Sequence, residues 1–523
     1  MKRKVLCFAL ACVFAVSLAA CNADTGQAGA DSAGDVNRVI IARPVDSDNL
    51  DPVTSVGNTN IWIYKLMLDS LVDITEDGRE IVPNLAESFT VSDDNLVYTF
   101  TLKPGVRFSD GTYVTVDDWV FSFERAMSDL ANHWAFASDN IERVEALDEN
   151  TFAVVLHNPS PATLANLSMF SLGVQSRAFY MSLGETYEER DERYVNGFVG
   201  TGPFMLGDWQ RGQQLTLVRN PYYRTGGLPL ADEIIFRVVP DDAARAMQLE
   251  AGEVDIMTFV PFSTLREFGG RDGFRAYSIQ GTETRFVSFS TLNEYLSDIR
   301  VRTAINLATN NQEIVDMAMF GYGERAISFL QGSSPFINPN LPNPPITDIE
   351  RARELMAEAG HADGITLNMV ISAGNLFQEQ VATILMEQWS QIGVTLLIEP
   401  EEPGNYWDRI FSFEFDTVFN GWTDDVPDPI QFLDAVCYFD LYATFDTNYR
   451  NPRVEELNRL QAVEMDPARR LAYIHEIQQL LHDAQIFVPI AYIPFAVIVN
   501  DRIEGFVQTP LGHYRFERIQ RVR

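Results

Sequence analysis

The chain has 523 residues, of which 46% are hydrophobic, so it holds enough apolar material for two or more sizeable cores and is not a disordered polypeptide. Its formal net charge is −34, from 39 lysines and arginines against 73 aspartates and glutamates. A surface this negative repels nucleic acid and anionic lipid, which argues against a nucleic-acid partner and leaves cationic or zwitterionic solutes as the ligands that meet least repulsion.

The first 21 residues are predicted to be a lipoprotein signal peptide. Lys2-Arg3-Lys4 precede an apolar run over 5–20 that is too short to span a bilayer comfortably. The run ends in Leu18-Ala19-Ala20-Cys21, which resembles the bacterial lipobox, so we expect cleavage to leave a lipid-modified Cys21 at the new N-terminus. An ordinary signal peptide with an incidental cysteine is the alternative. Residues 22–35 are small, polar and acidic, as in a flexible tether.

Cysteine usage excludes an intrachain disulfide framework. Cys7 and Cys12 lie in the signal peptide and Cys21 takes the lipid, so Cys437 alone remains in the mature body. It lies in an apolar and aromatic run over 432–439, where we expect a buried, inert thiol.

Hydrophobic periodicity predicts mixed α and β structure along the first half of the chain. A strand is predicted over 39–42, a helix over 58–71 capped by Asn58 or Thr59, and a helix that begins after Thr115, with Asp118 completing a capping box. A further helix is predicted from Asp241 or Asp242 to Ala251, before a long helix over 301–320.

The second half alternates helices with strands, which predicts an α/β region. Helices are predicted over 349–359, 378–392 and 467–484, the last with Asp466 as its cap, and strands over 488–493 and 496–499.

An acidic aromatic stretch follows the apolar run over 411–419, which is predicted to be a strand that breaks at Gly421. The loop 421–429 carries Trp422, three carboxylates and two prolines. A carboxylate beside an indole suits a small organic cation, because the carboxylate supplies charge and the ring an apolar wall. By itself the stretch fits a solvated acidic turn equally well.

Catalytic and metal-binding motifs are missing from the sequence. There is no HExxH, GxSxG or P-loop, and His475 and His482 on the last predicted helix have no third ligand nearby. We therefore predict a protein that is not an enzyme, has no cofactor and binds no metal. A secreted hydrolase with a pair of acidic residues is the alternative class.

Several motifs, in order and spacing, resemble the extracytoplasmic peptide-binding proteins of ABC importers, the dipeptide- and oligopeptide-binding family 5. The set covers nearly all of the chain after the tether. It consists of Asn49-Leu50-Asp51-Pro52, the segment 83–125, Gly200-Thr201-Gly202-Pro203-Phe204, Arg219-Asn220-Pro221-Tyr222-Tyr223, Gly252-Glu253-Val254-Asp255-Ile256 and Val301-Arg302-Thr303-Ala304-Ile305.

The resemblance implies an α/β, two-lobed periplasmic-binding-protein-like fold of type II, with paired hinge strands between the lobes. Projected on this chain, lobe I takes 36–74, 200–295 and 497–523, an extra α+β subdomain of lobe I takes 75–199, and lobe II takes 296–496.

The resemblance also implies a peptide ligand whose α-ammonium pairs with an aspartate of the loop 421–429. Aligned from Gly421-Trp422, that aspartate falls on Asp425, with Asp424 in place of a small residue. Gly421, Trp422, Thr423 and Asp424 complete the expected substrate-binding set. Asp424 either favours a more cationic ligand or faces solvent. For the peptide carboxylate, Arg285, Arg409 and Arg450 are candidates without motif support.

The implied partners are a peptide and the permease and ATPase subunits of an ABC transporter. The implied protein is a monomer held by its lipid at the outer face of the cell membrane, or periplasmic. Other members of the family carry oligosaccharides, nickel chelates, haem or opines, so a non-peptide solute is the alternative within the family. An oligosaccharide would stack on aromatic rings, for which Trp62, Trp134, Trp407 and Trp422 are available.

Overall fold

Two long antiparallel strands, Phe274–Phe289 and Phe487–Asn500, form the centre of the largest sheet. The computed structural model describes residues 36–343 and 346–522, and the described residues from Asn37 onward pack as one compact unit. The predicted signal peptide and tether, including Cys21, lie outside the described residues.

Nineteen strands are assigned in this part of the chain. They are β1 Arg38–Arg43, β2 Val72–Ile74, β3 Ile81–Pro83, β4 Ala86–Val91, β5 Val97–Leu102, β6 Ile141–Asp148, β7 Thr151–Leu156, β8 Phe204–Gln210, β9 Gln214–Arg219, β10 Glu233–Val238, β11 Ile256–Met257, β12 Phe274–Phe289, β13 Glu324–Arg325, β14 Ile365–Ser372, β15 Val394–Glu401, β16 Thr417–Trp422, β17 Phe487–Asn500, β18 Ile503–Glu504 and β19 Gln520–Arg521.

The same residues form sixteen α-helices and two 3₁₀ helices, Asp129–Ala137 and Phe170–Leu172. The α-helices are α1 Asn58–Tyr64, α2 Val116–Ala126, α3 Thr163–Leu167, α4 Arg177–Ser182, α5 Tyr187–Tyr194, α6 Asp242–Glu250, α7 Phe262–Phe268, α8 Ile299–Ala308, α9 Asn311–Ala318, α10 Ile349–Glu358, α11 Leu376–Ser390, α12 Pro403–Phe411, α13 Ile430–Cys437, α14 Phe439–Asp446, α15 Pro452–Val463 and α16 Pro467–Ala484.

The main sheet has the strand order β15-β14-β16-β12-β17-β11-β1-β10-β9-β8, with β13 also paired to β17. Residues 274–279 of β12 pair with 495–500 of β17, and residues 283–288 pair with 487–493 beyond a register shift. The first half of the pair therefore continues into β11 and β1, and the second half into β16 and β14. A separate antiparallel sheet has the order β4-β5-β7-β6.

Buried apolar side chains form several clusters on the two sides of this central pair. One large cluster includes Ile41, Phe123 and Val499, and another includes Val287 and Trp389. A third cluster, packed around Phe432, lies between α13, α15 and α16. The boundaries 36–74, 75–199, 200–295, 296–496 and 497–523 stay a prediction.

Two of the helix caps predicted from the sequence are present in the structure. The Thr115 N–H donates to the Asp118 carboxylate at 2.9 Å at the start of α2, and Asp466 accepts from the Arg469 N–H at 2.8 Å at the start of α16. Cys437 is a free and buried thiol, as predicted, and burial raises its pKa.

The predicted helix over 58–71 is too long, and its cap is wrong. Helix α1 begins after Gly57 without a side-chain cap and ends at Tyr64. The carbonyl groups of Leu66 and Met67 then accept hydrogen bonds from the N–H groups of Phe204 and Gly202. The two segments approach so closely that a Cβ on Gly202 would lie 2.5 Å from the Met67 carbonyl carbon, so a long-range backbone contact ends the helix.

Three other predicted boundaries are wrong for physical reasons. The helix over 301–320 is two helices, α8 and α9, because the Asn310 side chain accepts from the Glu313 N–H and starts a new helix. Residues 488–499 lie in one continuous strand, β17. The apolar run over 411–419 contains the end of α12, and the strand β16 begins only at Thr417 and includes Gly421 and Trp422.

Candidate functional site

Gly421 and Trp422 are the last two residues of β16, not the start of the loop as the sequence predicted. They pair with Arg285 and Thr284 of β12 in an antiparallel register. The Arg285 side chain crosses directly over Gly421, where an added Cβ would lie 2.5 Å from the guanidinium. Gly421 is therefore the residue that lets an arginine lie flat against the strand just before the loop.

Trp422 forms a fixed aromatic wall at the end of the strand. Its ring stacks on Phe432 of α13 with the ring centres 4.9 Å apart and an angle of 2°, and it meets the ring of Phe445 edge-on at 5.6 Å. Trp422 stays half-buried. Because Phe432 covers one face of the indole, only the other face can contact a ligand.

The loop that follows is tied to the segment between the two halves of β12. The Asp424 N–H donates to the Thr282 hydroxyl at 3.1 Å, and that hydroxyl lies 3.4 Å from the Asp424 carbonyl oxygen. Thr423, which precedes this contact, is half-buried. The backbone of the loop is thus held in place before the chain reaches Asp425.

Asp425 is a buried carboxylate with a neutral partner. Its side chain accepts from the Gln431 amide at 2.8 Å through Oδ2, and its N–H donates back to Gln431 at 3.1 Å. Asp425 is only 6% exposed, and within residues 36–343 and 346–522 its carboxylate takes part in no ion pair. Burial raises the pKa of Asp425 to about 6, while Gln431 and the more distant Lys65 act in the opposite direction. The site therefore has a negative charge without a contacting cation.

Asp424 lies beside Asp425 and is half-buried. Burial, followed by the charge of Asp425, raises the pKa of Asp424 to about 8, and the indole of Trp422 counteracts part of this shift. Two adjacent carboxyl groups cannot both ionise cheaply in such surroundings. At neutral pH the pair carries about one negative charge, on Asp425.

Asp428 anchors the far end of the loop through a residue that the sequence analysis missed. Arg470 of α16 donates two hydrogen bonds to the Asp428 carboxylate, each 2.7 Å long, and both side chains are buried. The Arg470 Nε–H also donates to Gln461 at 3.1 Å. Asp428 therefore has a structural role. The sequence around Arg470 has no local pattern that predicts its pairing with the distant Asp428.

A second missed residue, Lys65, acts on the loop through its charge. Val426 packs in the large apolar cluster that includes Tyr64 and Leu66, which flank Lys65 in sequence. The charge of Lys65 acts on Asp425, and that of Asp425 on both Tyr64 and Lys65. The sequence offers one hint of a special role for Lys65, since it is the single charged residue in the apolar segment 61–68.

The three arginines considered for a ligand carboxylate have different surroundings. Arg285 lies at the site against Gly421 but pairs with Glu283. Arg409 pairs with Glu399 and Glu401, each at 2.6 Å. Arg450 lies on the α14–α15 connection, 3.3 Å from Glu455.

Two of the tryptophans considered for sugar stacking lie in cores. Trp62 and Trp134 are buried, and the Trp134 indole donates to the Ser55 carbonyl at 2.8 Å. The side chain of Trp407 lies outside the described part of the structure, and Trp422 lies at the candidate site.

Over the described ranges, no group of three or more His, Cys, Asp or Glu side chains is arranged to hold a metal ion. No helix among those residues is long and apolar enough to cross a membrane.

Comparisons with known proteins place this geometry in context. A family model described as bacterial extracellular solute-binding proteins, family 5 Middle, matches residues 80–440. Heme-binding protein A of Haemophilus influenzae is 26% identical over 491 residues, which cover 88% of this chain and 87% of that protein. Di/tripeptide-binding protein 3 of Pseudomonas aeruginosa is 26% identical over 476 residues, which cover 86% of this chain and 88% of that protein.

A solved structure shares the fold over nearly its whole length. It is an ABC transporter-associated periplasmic binding protein from Helicobacter pylori in complex with the peptide STSA, with a TM-score of 0.84 and 25% identity. The match covers 93% of this chain and 98% of the other. The α/β, two-lobed fold predicted from the resemblance is confirmed, and β12 and β17 are the long paired strands at the centre of its main sheet.

Proposed function

Because the chain belongs to the family 5 bacterial extracellular solute-binding proteins, we propose that it captures peptides between its two lobes and delivers them to an ABC importer. Asp425 pairs with the α-ammonium of the peptide, Trp422 forms a wall beside it, and Gly421, Thr423 and Asp424 complete the contact surface. Closure of the lobes removes water from this pair, which strengthens the electrostatic attraction.

The observation that carries this proposal is the state of Asp425. A buried carboxylate without a contacting cation is costly, and its raised pKa measures that cost. An ammonium placed against the Asp425 oxygen that Gln431 leaves free would restore the charge balance. The relatives named above include a di/tripeptide-binding protein and a structure with a bound peptide, which supports a peptide as the solute.

The proposed setting follows from the N-terminal sequence and the family. Cys21 carries the lipid, residues 22–35 form the tether, and the monomeric protein works at the outer face of the cell membrane or in the periplasm. Permease and ATPase subunits supply the energy for import, since the sequence has no P-loop. In this role the protein binds and releases its solute without chemical turnover.

Replacement of Asp425 by asparagine tests the proposal. Asp425→Asn keeps the shape of the side chain but removes its charge, so free-amine peptides should lose about 2–5 kcal/mol of binding free energy, or roughly thirty-fold or more in affinity. N-acetylated forms of the same peptides should bind weakly and equally to both proteins. Titration calorimetry measures all four affinities.

A matched control is Asp408→Asn, which removes a carboxylate from an exposed position on α12. It should leave both affinities unchanged. Equal losses for free-amine and N-acetylated peptides in Asp425→Asn would contradict the assignment of Asp425 to the ammonium.

A further inference from the structure

Phe259, two residues after the end of β11, has a backbone conformation that phenylalanine rarely adopts. Its φ is 52°, in the left-handed region where a bulky residue is an outlier. The residues on both sides are held in place, since the Thr258 N–H donates to the Ala42 carbonyl at 3.1 Å and the Val260 N–H to the Ala496 carbonyl at 3.2 Å. Strained residues that their surroundings hold in this way cluster at ligand-binding sites.

Two other phenylalanines with a positive φ have a structural reason for it. Phe320 and Phe413 directly follow the C-cap residues of α9 and α12, where a left-handed residue commonly ends a helix. Phe259 follows a strand instead. The end of a helix therefore does not account for its conformation.

Phe259 and Trp62 form an aromatic platform with one exposed face. The ring of Phe259 stacks on the Trp62 indole with the ring centres 5.4 Å apart and an angle of 14°. Trp62 is buried, and Phe495 and Tyr514 pack edge-on against it at 5.3 and 5.6 Å. Phe259 itself is 40% exposed. Its ring is thus held on a rigid base with much of its surface in water, where it gains little from burial.

The platform lies at the carboxyl edge of the parallel strands β1, β10 and β11. β1 pairs in parallel with both β10 and β11. The buried Arg245 ties the ends of β10 and β11 together, since it donates to the Val239 carbonyl at 2.8 Å and to the Phe259 carbonyl at 3.4 Å. Ligands of α/β proteins bind outside the carboxyl ends of the strands, so Phe259 lies at an edge suited to binding.

The carboxyl edge of β14 and β16 meets this edge. β14 and β16 are parallel, and β16 leads into the loop that carries Asp425. Phe377, five residues after the end of β14, lies edge-on to Phe262, three residues after Phe259, with the ring centres 6.3 Å apart. The edge that carries Asp425 and the edge that carries Phe259 are therefore in contact with each other.

A second connection joins the base of the platform, Trp62, to the candidate loop. The Thr282 hydroxyl accepts from the Asp424 N–H at 3.1 Å, and the Thr282 N–H donates to the Pro510 carbonyl at 2.9 Å. Two residues further along the chain, Gly512 lies so close to the Trp62 indole that an added Cβ would be 2.4 Å from its ring. A short series of direct contacts thus links the platform to the candidate site.

We propose that the exposed face of Phe259 lines the ligand cleft and stacks on an aromatic side chain of the solute, which makes Phe259 a specificity-determining residue. This inference rests on the proposed capture of peptides through Asp425. The ammonium and the backbone are common to all peptides, whereas a fixed aromatic ring favours a planar apolar side chain. The protein therefore selects peptides that carry an aromatic residue.

Phe259→Gly tests the proposal, because glycine adopts the same backbone conformation without strain and removes only the ring. The probes are the tripeptide Ala-Ala-Ala and its three variants with a single phenylalanine, all with free termini. The unchanged protein should bind the best phenylalanine variant roughly tenfold or more tightly than Ala-Ala-Ala, and in Phe259→Gly the two affinities should agree within about threefold. Phe259→Tyr, which keeps the ring, should retain the preference. Titration calorimetry measures these affinities.

Phe413→Gly is the matched control. Phe413 is half-buried and has a φ of 55°, but it precedes β16 and so lies at the opposite end of that strand from the candidate loop. Its replacement should leave the preference for phenylalanine unchanged. Thermal unfolding shows whether both glycine variants remain folded.

A ¹⁹F label tests the contact without removing the ring. With 4-fluorophenylalanine in place of Phe259 alone, the ¹⁹F signal should shift when the preferred phenylalanine tripeptide is added, because of the ring current of the bound side chain. The cyclohexylalanine analogue of that tripeptide has a similar size and no ring current, so it should shift the signal much less. This readout holds even where Phe259→Gly does not fold.

Three results would each overturn the role of Phe259. They are the absence of a preference for any phenylalanine variant in the unchanged protein, the same preference in Phe259→Gly, and equal ¹⁹F shifts with the aromatic and the cyclohexyl tripeptides. Failure of the Asp425 proposal would look different. Free-amine and N-acetylated peptides would then lose affinity equally in Asp425→Asn, whatever their side chains.

Discussion

Adjacent aspartates at the candidate site have different ionisation states because their surroundings differ. Burial raises the pKa of Asp425 to about 6, and burial plus the charge of Asp425 raises that of Asp424 to about 8. At neutral pH Asp425 is mostly ionised and Asp424 mostly neutral. The charge of Lys65 favours the ionised form of Asp425. A single negative charge at this loop is what the proposed binding of one ligand ammonium requires.

The affinity for free-amine peptides should depend on pH with a maximum near neutrality. Below about pH 6 Asp425 becomes protonated and loses its charge, so the affinity should fall by up to about tenfold per pH unit. Above about pH 8 the peptide amine loses its proton, and the affinity should fall again. Titration calorimetry between pH 5 and 9 measures this profile.

The acidic side of that profile should disappear in Asp425→Asn, whose amide does not titrate. The affinity for N-acetylated peptides should fall neither on the acidic nor on the alkaline side of neutrality. A flat affinity between pH 5 and 7 in the unchanged protein would show that the ionisation of Asp425 does not govern binding.

At the scale of elements, the loop 423–429 and the strand end before it are held at three points. β16 pairs with β12 up to Trp422, Thr282 holds the backbone of Asp424, and Arg470 of α16 clamps Asp428. Binding groups on a rigid loop need little reorganisation when a ligand arrives, which favours affinity. The stability of the loop should therefore depend strongly on Arg470.

Arg470→Ala should destabilise the protein by about 3–5 kcal/mol, because it leaves the buried Asp428 carboxylate without its partner. It should also weaken peptide binding, since the loop that carries Asp425 loses an anchor. Denaturant unfolding followed by tryptophan fluorescence measures the stability, and calorimetry the affinity.

The neighbouring residue gives a matched control. Arg469 is exposed on the same helix, α16, and pairs with Glu464 just after α15 at 2.9 Å. Because this ion pair lies at the surface, Arg469→Ala should lower the free energy of unfolding by less than about 1 kcal/mol. Equal effects of the two substitutions would mean that the Asp428–Arg470 pair does not anchor the loop.

Two helix starts set by local contacts could be predicted from the sequence, whereas a third local cap, at Asn310, was missed and elements set by distant contacts could not be predicted. The caps at Thr115 and Asp466 involve residues three positions apart, and both are present. The end of α1 at Tyr64 depends on the backbone of residues 202–204, far away in the chain. The strand β16 extends through Gly421 because β12 pairs with it, although glycine usually signals a break.

At the candidate site too, the residues close together in the sequence could be predicted, and those brought in from distant segments could not. The acidic aromatic stretch was visible in the sequence, and the resemblance to a family selected Asp425 from its three carboxylates. Lys65 and Arg470 were not predicted, because their relation to the loop exists only after the sheet and α16 bring distant segments together.

At the scale of the whole molecule, the two long strands β12 and β17 form the centre of the main sheet, and the candidate site lies where the second half of β12 meets β16. Because β12 and β17 pair along nearly their whole length and connect to strands on both sides of the sheet, we expect them to act as the hinge. The strongly negative charge of the protein complements a ligand that presents an ammonium first. These features agree with the proposed capture of a small solute with a free amine.

Native mass spectrometry of the protein purified from its own host tests that claim most directly. The unchanged protein should release a small molecule with both a free amine and a carboxylate, of the mass of a short peptide, while Asp425→Asn from the same host should release none. A bound sugar, or any ligand without an amine, or the same ligand retained by Asp425→Asn, would contradict the account.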